Sequence, residues 1–463
     1  MQIATEERRR RDEVRALLRT LRERRSRRFG LGMRMAEGPL AYASGQPGVP
    51  LSEEEEALLV FAACGITGYA LADLSYARGQ GGTIMSGLVG RTVPSGDAIQ
   101  MVALVVSNSE ATYYLRRPQD FPPDEIPELV RLAEREEYVE LYRRGRVKIR
   151  DGRATAPRDP IFNINCNLWS LYDPAATYLL PVNELTQVYV NGLLEILNET
   201  TAAFVVDERA GFRPAGLARF ARSRGGHLDD DPRGGRVVTV QQLEGLVTEF
   251  VTAEQGMMLQ NVALMTHALG LGGFPHWAAH PFGWFQALGC RMARMPASRY
   301  LGMGRLLSLA ARALGRDGDV PYVLAVERDG EPLLAPFCPP HYPSMEAAVR
   351  EVHARKLGPQ GIFRGAIGRS AWREPERVAA ATPEIDAAAI DATIAYCEYV
   401  YRRYGRFPAY APPLRTVLGF QANHLDVGFY DRFYRPEALA EPQRRHFDEW
   451  HAAPAPKSDA PEG

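Results

Sequence analysis

The sequence predicts a globular protein that mixes long helices with short strands, and three stretches carry that prediction. "LVTEFVTAEQGMMLQNVALMTHALGLGGFPHW", Leu246 to Trp277, is apolar on nearly every face of a helix, the pattern of a helix inside a domain. "IQMVALVVS" is a short apolar run between turn signals and reads as a buried strand. "DVPYVLAVERDGEPLLAPF" reads as two short strands around an Asp-Gly turn at Asp329 and Gly330. With 463 residues, 46% of them hydrophobic, the chain is long enough to bury one large core or two ordinary ones.

Charge and targeting signals narrow the function classes. The 55 basic and 56 acidic side chains nearly cancel, so no global field favours nucleic acid, although arginines crowd the first part of the chain. The start, "MQIATEERRRRDEVR", lacks the apolar core of a secretory signal, and no run approaches the roughly 20 apolar residues a membrane span needs. A soluble cytoplasmic protein is the expectation. Five scattered cysteines with no CxxC pair suggest reduced, packed thiols rather than a disulfide framework or a structural zinc site.

Taken in order, Thr5 to Arg25 forms a charged helix with Val14, Leu17, Leu18 and Leu21 on one face, leading into "RRSRRF". Ser26 among Arg24, Arg25, Arg27 and Arg28 offers a hydroxyl and several guanidiniums, equipment for a phosphate dianion as well as for a solvated basic face. Ser52 and Glu55 make a capping box ahead of the apolar helix in "PLSEEEEALLVFAACGITG". A glycine-rich loop follows, and its Pro94-Ser95-Gly96 turn opens onto the "IQMVALVVS" strand. Residues 121–245 mix charged helices, proline-containing loops and an apolar helix at "PVNELTQVYVNGLLEIL", and read as insertion and cover. Within them "RGGHLDDDPRGG" is a solvent loop before it is a metal site.

The central helix carries two polar stripes, Glu254 with Asn261 and Gln260 with His267, which need partners if buried. Gly256 within it suits close approach of another backbone, and the run from Gly270 to Pro275 stops it. His276 and His280 stand at helical spacing, but no HExxH glutamate lies between them and Pro281 breaks the helix, so a packed pair is expected. His424, Asp426, His446 and His451 are metal-capable types without a recognised spacing and read first as packing and surface groups. The last residues, 453–463, rich in Ala and Pro, are expected to be disordered.

No GxxxxGK[ST] is present, and "GLGMRM", "GLGGFP" and "GMGRLL" lack the third glycine of a dinucleotide fingerprint. In their order, however, "RRSRRF", "RTVPSGDAIQMVALVVS" and "EQGMMLQNVALMTHALGLGGFPH" resemble the three sequence blocks of the FMN-dependent nitroreductase superfamily, closest to its branch of peptide azoline oxidases. They cover about a tenth of the chain directly. The resemblance implies an α+β fold with a mixed sheet flanked by helices, the central buried helix at a homodimer interface, and FMN held between subunits. By position, Arg24, Ser26 and Arg28 match residues that hold the FMN phosphate, with Arg25 and Arg27 turned away. Pro94, Ser95 and Gln100 match the segment contacting ribityl and isoalloxazine, and Gly272 and Gly273 open a turn, through Ala278, beside flavin N5. Lys356, Arg355 or Arg364 is the late basic residue expected to complete the phosphate site. Trp277 stands where many nitroreductases carry a glutamate, and Asp97 and Ala98 also depart from the pattern, which puts nicotinamide use in doubt.

On this basis the expected activity is hydride transfer between FMN and an organic substrate, small or peptidic, with Trp277 and His276 at the reacting centre and no metal. The alternatives are a family member without redox turnover that serves as a binding partner, and a metalloenzyme built on the C-terminal histidines. The expected organisation is 1–120 as the first part of the nitroreductase-like domain, 121–245 as insertion, 246–365 as its remainder, 366–452 as a helical extension, and then the tail.

Overall fold

The computed structural model describes residues 2–70, 89–96, 100–158, 165–171, 173, 175–278, 282–366 and 372–451. Asp97, Ala98, His280, Pro281, most of the glycine-rich loop and the tail therefore lie outside the described residues. The elements used below are α1 (Gln2–Glu23), α2 (Glu53–Cys64), β1 (Val102–Ser107), β2 (Ala111–Leu115), β3 (Arg146–Asp151), β4 (Thr177–Glu184), α3 (Leu185–Ile196) and α4 (Val240–Ala268). They continue with β5 (Gly272–Trp277), β6 (Arg291–Pro296), β7 (Asp319–Arg328), β8 (Glu331–Leu334), α5 (Met345–Leu357), α6 (Ala387–Tyr404), β9 (Leu414–Arg415), β10 (Leu418–Asn423), α7 (Val427–Phe433) and α8 (Glu441–Trp450).

Helices and a sheet in the order β5-β10-β4-β1-β2-β3, with β9 also beside β4, make this an α+β fold. The expected mixed sheet is not what forms: every pairing in this sheet is antiparallel. The turn between β1 and β2 shows why, since Asn108 Oδ1 accepts the N–H groups of Glu110 and Ala111, and so short a connection permits only antiparallel neighbours. A parallel pair does occur in a smaller sheet, between Phe204–Asp207 and Val237–Thr239.

Both faces of the main sheet are covered. Val102, Leu104 and Val106 of β1 pack with Leu59 of α2 and Met258 and Val262 of α4. Ala103 and Val105 pack the other way, with Trp284, Phe285 and Val323. Burial on both sides is why this strand reads as a continuous apolar run instead of an alternating one. The β7–β8 hairpin forms as expected, with Asp329 and Gly330 both at positive φ, but it pairs with β6 in its own sheet. A further core joins α3, α5 and α6 through Leu193, Val349 and Tyr396.

Two expectations about organisation are corrected. Residues 121–245 are not a cover: β3 and β4 lie in the main sheet, and β4 is buried along its whole length. Pro181 hides that strand in the sequence. It is tolerated because β10 pairs with Thr177 to Leu179 and β9 with Asn183 and Glu184, so no neighbour on that side needs a donor from Pro181. The C-terminal part is likewise more than an extension, since it supplies β10, which sits between β5 and β4.

The capping box of α2 is present, with Ser52 and Glu55 exchanging bonds. Helix α4 starts earlier than expected, on a Thr239 and Gln242 capping box, and ends at Ala268 ahead of Gly270 at φ +79. Gly272 to Trp277, expected as a turn, is strand β5, held to β10 along its length. One face of α4 is buried through Val251, Met258, Leu259 and Val262, while Leu246, Ala253, Gln260 and Ala268 on the opposite face are exposed. No described backbone approaches Gly256, which faces open space. The apolar face of α1 is uncovered too, with Val14, Leu17, Leu18 and Leu21 roughly half exposed.

Candidate functional site

The arginine block and the glycines meet. Arg27 bridges to Gly273, whose N–H donates to the Arg27 carbonyl at 2.8 Å. Arg28 lies 4.2 Å from the centroid of the Phe274 ring and donates to Asn167 Oδ1 at 2.7 Å. Ser26 is exposed and lines, with Arg28, Trp169 and Tyr434, a cavity of about 400 Å³. Arg25 and Arg27 line it as well, whereas Arg24 stands outside it, so the expected alternation of inward and outward side chains does not hold. Arg27 is 3% exposed and donates to the Ala438 carbonyl at 2.7 Å, and burial lowers its pKa to about 10. It is a structural anchor. Gly272 and Gly273 serve packing here: a Cβ at either would fall within 2.5 Å of Leu425 or Phe420.

The second block lies elsewhere. Ser95 Oγ accepts the Gln100 N–H at 3.0 Å, and Gln100 is held at φ +52. Pro94 is exposed, and Gly96 abuts the Phe250 ring of α4. Beneath them Glu254 accepts from the Val102 N–H and from Asn183, and burial raises its pKa. The other polar positions of α4 also find partners, Asn261 at the Thr92 carbonyl and His267 at Gln443, while Gln260 is exposed. Arg27 lies by His267, so the two blocks are separated along α4 by the stretch from Glu254 to His267, about 20 Å at the helical rise. Among the described residues, the cavity at Ser26 includes none of the second block.

Trp277 is 45% exposed, while His276 is 2% exposed and enclosed by Tyr178, Phe274 and Trp284. Burial lowers the His276 pKa to about 4. His276, expected as a reacting group, is thus a residue of edge strand β5 whose ring is turned into the packed side of the sheet and held neutral by burial. Lys356 is buried against Glu195 at 2.5 Å and Asn191 at 2.9 Å; Arg355 pairs with Glu351 and Arg364 with Glu384. None of these three lines the cavity at Ser26.

A second group of polar residues assembles at the start of α2. His424, at the end of β10, and His446 and His451, on and just after α8, place one ring nitrogen each within 4.8 Å of the others. Glu55 joins them, its Oε2 3.2 Å from His424 Nε2 and its Oε1 3.4 Å from His446 Nε2. Burial alone would raise the Glu55 pKa, but the His424 ring and the Ser52 donors hold it at about 2. Burial lowers His446 and takes His451 down to about 4. Asp426, considered with these histidines from the sequence, instead caps α7. Glu55 carried no signal beyond its capping box, because its partner His424 lies 369 positions away.

No family model matches this chain, and no curated protein does. Among solved structures, a putative nitroreductase from Ralstonia eutropha is similar over 58% of this chain and 73% of its own, at 13% identity and a TM-score of 0.26. At that score the superposition decides nothing about fold or chemistry.

Proposed function

We propose that the protein is an FMN-dependent oxidoreductase of nitroreductase type whose site is completed by a second copy of the chain. The observation that supports this most is the convergence of Arg27 and Arg28 with Gly273 and Phe274 beyond the C-terminal end of α4. These are two of the three resembling blocks, far apart in sequence. The third, Pro94 to Gln100, flanks the same helix about 20 Å away, so a cofactor touching both needs a neighbour's surface. The uncovered faces of α4 and α1 offer that surface.

In this reading Ser26 and Arg28, which share the cavity that Arg24 does not line, bind the phosphate, while Ser95 and Gln100 supply hydroxyl and amide groups to the rest of the cofactor. Bound FMN would supply the hydride chemistry, which asks no nucleophile of the protein. Trp277 gives an exposed aromatic wall for an organic or peptidic substrate, and His276 fixes the strand behind it. The test is the absorption spectrum of the purified full chain. A flavin spectrum is expected, lost on denaturation as free FMN, and Arg28→Ala should weaken FMN by about 1.5 to 3 kcal/mol, the scale of a bond to a charged group. Riboflavin bound as tightly as FMN would remove the phosphate assignment, and protein that takes up no flavin would remove the proposal.

A further inference from the structure

We infer that His424, His446 and His451 bind a divalent transition-metal ion of the zinc class, with Glu55 holding His424 from behind. Three buried ring nitrogens, His424 Nδ1, His446 Nε2 and His451 Nε2, accept or donate no hydrogen bond among the described residues, and of these only His446 Nε2 faces a charge, the Glu55 Oε1 at 3.4 Å. Buried polar groups ordinarily find partners, and three ring nitrogens without a hydrogen bond at one point are more than packing alone explains. One ion satisfies all three at once. Imidazole nitrogens suit zinc and its neighbours, and zinc sites with three protein ligands are well known.

The geometry fits after a small contraction. Zinc at about 2.0 to 2.1 Å from each nitrogen sets the nitrogens roughly 3.4 Å apart, and one ring nitrogen of each histidine lies within 4.8 Å of the others. Glu55 Oε2 stands at His424 Nε2, which leaves Nδ1 for the ion; a carboxylate on the far nitrogen is the usual way a ligand histidine is oriented. Ser52 in turn donates its N–H to the same oxygen at 2.7 Å, so the capping box of α2 fixes the carboxylate. The fourth position faces a cavity of about 520 Å³ lined by Leu58, Leu269, Arg445 and Trp450, open to water. The ion would tie the end of α8 to β10 and to the start of α2.

The experiment uses untagged full-length protein, stripped with chelator, then titrated with Zn²⁺ by calorimetry and with Co²⁺ by visible absorption. One equivalent of Zn²⁺ is expected at micromolar affinity or better, with Co²⁺ bands typical of nitrogen ligation. His446→Ala and His451→Ala should each abolish the bands, Glu55→Gln should weaken binding about tenfold or more, and His227→Ala, in a remote loop, should change nothing. Circular dichroism confirms folding; should His446→Ala fail to fold, His451→Gln at the helix end is read in its place. No uptake by the unaltered protein, or equal uptake by the variants, overturns the site. Flavin content is read on the same samples, so the two proposals fail separately.

Discussion

His276 shows how far a residue's surroundings decide its chemistry. Its ring centroid lies 5.5 Å from that of Trp284 and 6.3 Å from that of Tyr178, its Nδ1 is 3.4 Å from the Trp277 carbonyl, and burial takes its pKa from 6.5 to about 4. Below pH 6.5 the unfolded chain takes up a proton that the folded chain refuses, so this residue costs stability as pH falls toward 4 and nothing above pH 6.5. Between pH 7 and pH 5 the loss should be about 2 kcal/mol, at 1.36 kcal/mol per pH unit. Denaturant melts at both values would measure it, and His276→Leu should flatten the slope by that amount. An unchanged slope would mean that the ring is protonated or solvated in the folded protein.

At the scale of elements, the pairing of β5 with β10 holds the site's parts together, because it carries Gly272, Gly273 and Trp277 on one strand and leads to His424 from the other. Gly419 of β10 lies opposite His276, and a Cβ there would stand 2.7 Å from both His276 Cε1 and Leu180 Cδ2. Both neighbours are buried side chains, so relieving the contact means repacking the core around them. Gly419→Ala should therefore cost about 1 to 3 kcal/mol, the usual scale of overpacking, and a melt within experimental error of the unaltered protein would refute this.

At the scale of the molecule, the proposed two-chain site would use the exposed faces of α4 and α1. Leu246 is 53% exposed on α4 and Leu17 is 56% exposed on α1, and stripes of this kind commonly mark interaction surfaces. If the proposed two-chain FMN site is right, Leu246→Glu should leave the folded chain's own stability within about 0.5 kcal/mol, since the side chain is exposed in one chain, while shifting the light-scattering mass to the monomer and lowering bound FMN. A dimer that survives this change with its flavin would place the interface elsewhere.

The sequence by itself determined what depends on near neighbours. The capping box at Ser52, the hairpin turn at Asp329 and Gly330, the strand from Val102 to Ser107 and the body of the central helix are set by contacts within a few residues or by apolar periodicity. Only the tertiary structure decided what depends on distant partners. Pro181 concealed a central strand whose missing donor is harmless only because two short strands leave a gap beside it. Arg27 and Arg28 look alike in the chain, yet one is buried against Ala438 and the other lies over Phe274. The histidine cluster was invisible because Glu55 and His424 meet across 369 positions, and no local pattern encodes a contact that only the folding of the sheet creates.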